Sequence, residues 1–503
     1  MTPFRSVVLT SLFLLGFFLS AVAQEQVSKI FTGHGDIGQT VHKGNLQYLP
    51  SDQAYRITGS GGNIWGTRDA FHFAWRRMEG DFILRSRIRF KESGGHPHRK
   101  TGLMLRSSLH NDAPYADAVK HGDGLTALQY RATKGGQTRE IRLPVRDPRV
   151  LQLERKGNRF VVGAAADGQP MTYSDTLHLE MDRDPYLGIF ICSHDSSMRE
   201  KAVFRNVRLT KPAPAGFVPY EDYGKSRLEV IDVHSKHRQV IHTTDRAIEA
   251  PNWDPLTGSL IFNSSGRLYD YPLEGGRPEE IETGFAVSLN NDHGLSPDNS
   301  KMAISHYDES KKQPGSRIYI VPREGGQPRP VTDSVPSYWH GWSPDGKHLV
   351  YTGERKGAFN IYRIPAAGGM EKQLTDHPML DDGSEYSPDG KYIYFNSART
   401  GTMQIWRMKA DGTDLKQITT DPYNDWFPHP SPDGKWLVFL SYPPYVDAQD
   451  HPHYKRVMLR MLPVDNLSRE PEVLTFVYGG QGTINVPSWS PDSRKVAFVS
   501  YTF

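Results

Sequence analysis

A short repeat in the second half of the chain limits its fold more than any other feature. Ser-Pro-Asp followed by Gly, Asn or Ser begins at Ser296, Ser343, Ser387, Ser431 and Ser490, and a degenerate copy occupies 254–258. Neighbouring copies lie 42 to 59 residues apart, close to the length of a four-stranded propeller blade. Short β-rich runs separated by Gly and Asp follow each copy, which is typical of hairpins. The sequence therefore predicts a six-bladed β-propeller over residues 225–503.

The two ends of this segment are expected to complete one blade together. The last β-rich run is 496–499, and two further runs, 228–233 and 239–242, precede the first copy of the repeat. Pairing the early runs with the last one would close the ring and leave no exposed sheet edge. The longest interval between copies contains an insertion at 443–455.

The first half of the chain has a different pattern. Alternating β-rich runs occur at 82–90, 102–106, 150–154, 160–163 and 203–209, with turn residues between them. This spacing predicts a two-sheet β-sandwich of the jelly-roll type over residues 24–210. Residues 211–224 contain several prolines and are interpreted as a linker. The whole chain is thus predicted to be all-β, which its 46 glycines and 36 prolines favour.

The N-terminus has the layout of a secretory signal peptide, residues 1–23. Arg5 precedes an apolar stretch at 7–19, and Ala21-Val-Ala23 predicts cleavage after Ala23. The apolar stretch is shorter than the roughly 20 residues of a spanning helix, so no transmembrane segment is expected. The protein should be periplasmic or secreted. Its 60 basic and 57 acidic residues form no basic run, so nucleic acid is not an expected partner.

The repeats resemble those of TolB-like six-bladed propellers. The best copy has Asn396-Ser-Ala-Arg399, Gly401 and Ile405-Trp406 after its turn. The resemblance implies fold more than function, because such propellers occur in periplasmic scaffolds, peptidase accessory domains and sugar-active enzymes. The N-terminal region resembles laminin-G-like or concanavalin-like sandwiches of secreted carbohydrate-active proteins, at 80–82, 101–106, 167–168 and 188–193.

Candidate chemistry lies just before the Ser-Pro-Asp turns, where the first strand of each blade should face the central channel. Four successive blades carry histidines and carboxylates there: His293, His340, His429, Asp292, Asp382, Glu385 and Asp425. Converging groups of these types suit a divalent metal or acid–base catalysis. Alternatively, each group only forms hydrogen bonds with neighbouring blade loops.

Specific roles follow from the first of these interpretations. The expected catalytic residues are His293, His340, Glu385 and Asp425, and the expected ligands of one Ca²⁺, Mn²⁺ or Zn²⁺ are His293, His340 and His429. The expected substrate-binding residues are Trp339, Trp426, Arg355, Arg399, Gln481 and Asn485. Aromatic rings beside carboxylates often hold sugars. Alternatively, the tryptophans only pack between blades, and the arginines only occupy surface turns. The His-Pro-His triplets 96–98 and 451–453 are metal-binding or solvated loops, and the second is placed to cover the channel.

The three histidines His293, His340 and His429, which precede the turns, are similar to the metal-binding histidines of oligogalacturonate lyases. This resemblance implies a uronate-cleaving lyase, but those enzymes have seven blades, and here Glu385 stands between His340 and His429. The leading hypothesis is an exported carbohydrate-active protein that binds, and as a lyase cleaves, a glycan in the propeller funnel. The alternative is a non-enzymatic TolB-like scaffold that binds envelope proteins. A serine peptidase is disfavoured because the sequence has no Gly-x-Ser-x-Gly motif.

Overall fold

The structure is a computed structural model that describes residues 30–218, 221–273, 275–310 and 312–503. The predicted signal peptide and its cleavage site after Ala23 lie outside the described residues. The described part consists of antiparallel strands and two short 3₁₀ turns, Pro50–Asp52 and Val464–Asn466. Within these residues, no helix has the length and apolar character needed to cross a membrane.

The N-terminal region forms two antiparallel sheets. Its strands are β1 Gly33–Ile37, β2 Asn45–Leu49, β3 Ala54–Gly59, β4 Asn63–Trp65, β5 Arg68–Arg77, β6 Phe82–Phe90, β7 Lys100–Arg106, β8 Tyr115–His121, β9 Thr126–Arg131, β10 Arg139–Leu143, β11 Val150–Lys156, β12 Arg159–Ala165, β13 Thr172–Tyr173, β14 Leu177–His178, β15 Tyr186–Cys192 and β16 Glu200–Thr210. One sheet has the order β1-β5-β15-β7-β8-β9-β10, with β4 on β5, and the other has the order β13-β12-β11-β6-β16-β3-β2, with β14 on β12.

Alternation along the strands gives these two sheets a common core. In β6, Leu84 and Ile88 are buried, whereas Arg89, the residue after Ile88, is exposed. Leu103 of β7, in the other sheet, belongs to the same apolar cluster as Leu84. Because successive side chains of a strand point to opposite faces of its sheet, one apolar face of each sheet packs against the other. The single cysteine, Cys192, is buried.

Six further sheets form the propeller. Blade one contains β19 Glu249–Trp253, β20 Leu260–Ser264, β21 Arg267–Tyr271 and β22 Glu279–Ile281. Blade two contains β23 Leu289–Leu295, β24 Lys301–Asp308, β25 Gly315–Pro322 and β26 Arg329–Pro330. Blade three contains β27 Ser337–Trp342, β28 His348–Arg355, β29 Ala358–Pro365 and β30 Lys372–Gln373. Blade four contains β31 Asp381–Tyr386, β32 Tyr392–Ser397, β33 Gln404–Lys409 and β34 Lys416–Gln417. Blade five contains β35 Asn424–Pro430, β36 Trp436–Tyr442, β37 Lys455–Pro463 and β38 Glu472–Gly479.

Blade six is assembled from both ends of the segment, as the sequence predicts. It contains β39 Lys495–Thr502, β17 Lys225–Asp232 and β18 Arg238–Thr244. β17 pairs with β39 along its whole length, from Lys225 opposite Thr502 to Asp232 opposite Lys495. A bridge between Trp489 and Val496 marks the innermost position. The pairing closes the ring by main-chain hydrogen bonds.

The repeated tripeptide is explained by the hydrogen bonds of its turn. In the third blade, Ser343 Oγ donates to Asp345 Oδ1 at 2.6 Å and accepts from the backbone N–H of His348 at 2.9 Å. The same two contacts recur at Ser296, Ser387, Ser431 and Ser490. Serine and aspartate at fixed spacing therefore satisfy the backbone between the first two strands of a blade.

A buried ion cluster joins the N-terminal region to the propeller. Arg208 of β16 donates to Glu229 of β17 at 2.9 and 2.8 Å, and Arg238 and Ser500 also donate to this carboxylate. Glu229 is fully buried. Although burial opposes it, the two guanidinium groups hold the pKa of Glu229 well below its usual range. The cluster thus fixes β16 against blade six.

Candidate functional site

Irregular first strands shape the centre of the propeller. In blades one to five the pairing of the first strand with the second shifts just before the turn, for example between Leu289 and His293 and between Trp339 and Gly341. Bulges of this kind redirect side chains. Asp292 and His340 lie within these shifts and face the channel, whereas His293, the next residue after Asp292, lies where pairing resumes.

The channel contains a cavity of about 1010 Å³, hereafter the funnel. Its wall combines carboxylates, imidazoles and aromatic rings from all parts of the ring: Glu249, Asp292, Tyr338, His340, Asp382, Phe427, His451, His453, Gln481 and Asn485. Of the described residues that line the funnel, one is an arginine, Arg246. The volume is of the size that holds small ligands or a few side chains of a partner.

His340 and Asp382 form the centre of the funnel wall. His340 Nε2 lies 2.8 Å from Asp382 Oδ1, and Thr352 Oγ1 donates to the same oxygen at 2.7 Å. Burial alone would lower the pKa of His340, but Asp382, Asp292 and Glu385 raise it. Burial alone would raise the pKa of Asp382, but His340 lowers it to about 2. Each group therefore stabilises the charged form of the other.

Two further carboxyl groups of the funnel are poised near neutral pH. Burial, together with the charge of Asp382, raises the pKa of Asp292 to about 7 against the opposing charge of His340. Burial and the charge of Asp292 raise the pKa of Glu249 to about 7. Asn290 Nδ2 donates to Asp292 Oδ2 at 2.8 Å. These groups can exchange protons or accept hydrogen bonds from a ligand at physiological pH.

The insertion in blade five covers part of the funnel. Gln449, His451 and His453 of this segment line the cavity, and His453 Nε2 lies 3.6 Å from Glu249 Oε1. The expected covering role of the second His-Pro-His triplet thus agrees with its position. In the loop after β38, Asn485 Nδ2 donates to Gln481 Oε1 at 2.9 Å, and both of these predicted substrate-binding residues line the funnel.

Two of the predicted funnel histidines are held between blades instead. His293 Nδ1 lies 3.0 Å from the carbonyl oxygen of Asn291, and its Nε2 lies 3.4 Å from that of Ile261. His429 Nε2 lies 2.7 Å from the carbonyl oxygen of Ile484, and its Nδ1 lies 2.6 Å from Glu385 Oε2. Neither histidine nor Glu385 is among the groups that line the funnel.

The predicted charged residues outside the funnel form ion pairs within their own blades. Arg399 donates to both oxygens of Asp381 at 3.0 and 2.7 Å. Arg355 donates to both oxygens of Glu371 at 2.8 and 2.9 Å. Asp425 is fully buried and accepts from Arg460. Each contact ties the first or last strand of a blade to its neighbours.

The two predicted sugar-binding tryptophans are buried between blades. Trp339 is 1% and Trp426 0% exposed. Trp339 packs on the backbone of Gly294 in the preceding blade, where a Cβ atom would lie 2.1 Å from its ring. The aromatic side chains that line the funnel include Phe427, which lies within the bulge of β35, Tyr338 and Phe359.

The metal that the sequence predicts does not fit this arrangement. Both ring nitrogens of His293 and of His429 face carbonyl or carboxylate oxygens, so of the three predicted ligands only His340 lines the funnel. In the described ranges, no three His, Cys, Asp or Glu side chains have donor atoms set around one point as an ion requires. The predicted catalytic and metal-binding roles remain predictions.

Glu249 is the funnel residue that the sequence does not reveal. It precedes the degenerate first copy, where Pro251-Asn252 has the pattern of a scaffold blade and carries no titratable group. Its position two residues before Pro251, at the start of β19, is the only signal that could have identified it. Tyr338, one position before Trp339, also lines the funnel.

Comparison with known proteins defines the family. The family model described as the TolB β-propeller domain matches residues 336–444. An uncharacterised protein of Agrobacterium fabrum is 46% identical over 278 residues, which are 55% of this chain and 92% of that protein. The chain belongs to the TolB-like β-propeller family. A solved structure of a proposed TolB from Agrobacterium tumefaciens is 45% identical to this TolB-like chain, with a TM-score of 0.53, and covers 56% of this chain and 100% of its own.

A more distant solved structure also matches part of the chain. An oligogalacturonate lyase in complex with manganese is 14% identical, with a TM-score of 0.34 over 51% of this chain and 74% of its own. A likeness of that strength carries no argument about the activity of this TolB-like protein.

Proposed function

We propose that this protein is a non-enzymatic, TolB-like scaffold of the cell envelope whose funnel binds a segment of a partner protein. One observation carries the proposal. Of the residues expected to perform catalysis or to bind the metal, only His340 lines the funnel, while His293, Glu385, Asp425 and His429 are held by hydrogen bonds or ion pairs inside the propeller. The kinship with a proposed TolB also favours a binding role.

The funnel supplies what such a binding site needs. Its aromatic groups, among them Phe427 and Tyr338, and its amides, Gln481 and Asn485, offer apolar contact and hydrogen bonds. Glu249 and Asp292 accept hydrogen bonds from donors of the partner. Under this proposal the chain is exported to the periplasm by the signal peptide of residues 1–23. The N-terminal region is then a concanavalin-like or laminin-G-like jelly-roll that adds a second binding surface.

A second candidate, a carbohydrate-active enzyme, is favoured by one specific feature. Asp292 and Glu249, with pKa values near 7, lie in the same cavity as the His340–Asp382 pair. Groups with such pKa values are common in acid–base catalysis. In this case Asp292 would take a proton from the sugar chain, and His340 would stabilise the charge that develops beside it.

An activity measurement separates the two candidates. The mature protein, from Gln24 onward, is incubated with polygalacturonate and alginate, and the formation of unsaturated or reducing ends is followed. The scaffold predicts no product from either glycan. Turnover that falls at least about 100-fold in His340→Ala and Asp292→Asn, while the matched Asp298→Asn variant outside the funnel retains it, would replace the scaffold with the enzyme.

A further inference from the structure

Four histidines meet at one edge of the N-terminal region, away from the funnel. His96 and His98 lie in the loop before β7, His121 ends β8, and His194 follows β15. The ring centroids of His96 and His194 are 4.3 Å apart, those of His98 and His194 5.5 Å, and those of His96 and His98 5.6 Å. His121 is 6.0 Å from His98 by the same measure.

Backbone hydrogen bonds hold the loop of His96 and His98 in place. The N–H of Arg99 donates to the carbonyl of His96 at 3.0 Å, and the N–H of Asp123 donates to the carbonyl of Pro97 at 2.8 Å. The N–H of His98 donates to His96 Nδ1 at 3.0 Å, which leaves Nε2 as the outer nitrogen of that ring. The main chain, and not bonding between the rings, therefore gathers the histidines.

Two of these rings carry buried nitrogens without a partner. His121 is 5% exposed, and its Nδ1 has no hydrogen-bond partner among the described residues. Nδ1 of His194 is also buried and without a partner in the same part of the chain. Buried polar atoms are almost always paired, so these two unpaired nitrogens are open to a ligand.

We propose that His96, His98 and His194 bind one divalent transition-metal ion, with His121 as a supporting or fourth ligand. Imidazole nitrogens are preferred ligands of Zn²⁺ and related ions. Three rings that bind Zn²⁺ tetrahedrally at about 2.0–2.1 Å must have their centroids about 5 Å apart. The observed separations of 4.3, 5.5 and 5.6 Å bracket that value.

Small ring movements complete the site. The donor atoms of the described residues are not yet set around one point, but His98 is exposed and His96 and His194 are half-buried, so their rings can turn. The nearest cations are held elsewhere, because Arg99 pairs with Glu200 at 3.0 Å and Lys100 Nζ donates to the carbonyl of Ile64 at 2.7 Å.

A bound ion would connect two loops that are adjacent in space but distant in sequence. These are the loop before β7, which carries His96 and His98, and the loop after β15, which carries His194. The ion would be structural or would keep an open position for a ligand. In either case it lies in the N-terminal region and is independent of the funnel and of the proposed function.

Zinc titration of tag-free mature protein tests the proposal. After treatment with EDTA and dialysis, Zn²⁺ binding is measured by calorimetry, and bound zinc is measured by elemental mass spectrometry. The expected result is one Zn²⁺ per chain at micromolar affinity or better. His98→Ala and His194→Ala should each weaken binding at least about 10-fold, because each removes one nitrogen ligand.

Two variants control for other histidines. His110→Ala removes an exposed histidine of the same region, and His340→Ala removes the funnel histidine; both should bind Zn²⁺ as the wild type does. Because His98 is exposed, its variant should melt in EDTA at the wild-type temperature, which separates lost binding from lost folding. Absence of zinc binding in the wild type, unchanged binding by His98→Ala, or loss of binding in His340→Ala would overturn the proposal.

Discussion

Replacing Glu249 with Gln tests the electrostatics of the funnel. Burial and the charge of Asp292 raise the pKa of Glu249 from 4.5 to about 7. A carboxyl group whose pKa is higher in the folded chain than in the unfolded chain binds its proton more tightly when folded. Its contribution to stability is therefore greatest below the unfolded value of 4.5 and is lost as the pH rises to about 7.

The size of this effect follows from the same values. The difference between 4.5 and about 7 corresponds to at most about 3 kcal/mol of folding free energy. The side chain is 18% exposed, and solvent screening reduces this to about 1–2 kcal/mol. The neutral amide of Gln does not ionise, so the Glu249→Gln variant avoids this loss. From pH 5 to pH 8 the melting temperature of the variant, relative to that of the wild type, should therefore rise by about 2–6 °C.

Scanning calorimetry of the mature protein at both pH values measures this difference. Glu280→Gln, at an exposed position of blade one, is the matched control and should follow the wild type at both. An unchanged difference between Glu249→Gln and the wild type from pH 5 to pH 8 would show that the funnel does not raise the pKa of this carboxyl group.

Two further substitutions test the junction and the blade packing. Glu229→Ala leaves two buried guanidinium groups without their carboxylate and should destabilise the protein by about 3–5 kcal/mol. Calorimetry should show a clear loss of melting temperature, and a shift below about 1 °C would contradict the role of the cluster. Gly294→Ala would place its Cβ 2.1 Å from the ring of Trp339 and should cost about 1–3 kcal/mol. Gly62→Ala, where a Cβ meets nothing within 4 Å, should melt as the wild type does, and equal melting of the two glycine variants would refute the packing argument.

The propeller could be predicted because its signals are local. Each Ser-Pro-Asp turn needs a serine and an aspartate at fixed positions to bond the backbone between two strands. Because every blade repeats this requirement, the sequence reveals the number and the spacing of the blades. The pairing of β17 with β39 also followed from counting strands, since blade six lacked its outer strands at the C-terminal end.

The funnel could be predicted only in part because a bulge decides which side chain enters it. His340 lies inside the shift in β27, whereas His293 lies after the corresponding shift in β23, although both precede a turn. A displacement of one residue along a strand turns a side chain to the opposite face. Of the histidine cluster, the sequence indicates only the triplet 96–98, because His194 is distant in sequence from His96 and only the pairing of β7 with β15 brings them together.

Site-specific photo-crosslinking in the native envelope tests the central claim, that the funnel binds a partner protein. A photoreactive amino acid replaces Gln449, an exposed residue of the funnel wall, and in a second variant Leu415, an exposed residue between β33 and β34 on the outside of blade four. The account predicts a discrete protein adduct from position 449 that is absent from position 415 and is weakened by Phe427→Ala. Equal adducts from both positions, or none from position 449 together with turnover of a glycan, would contradict it.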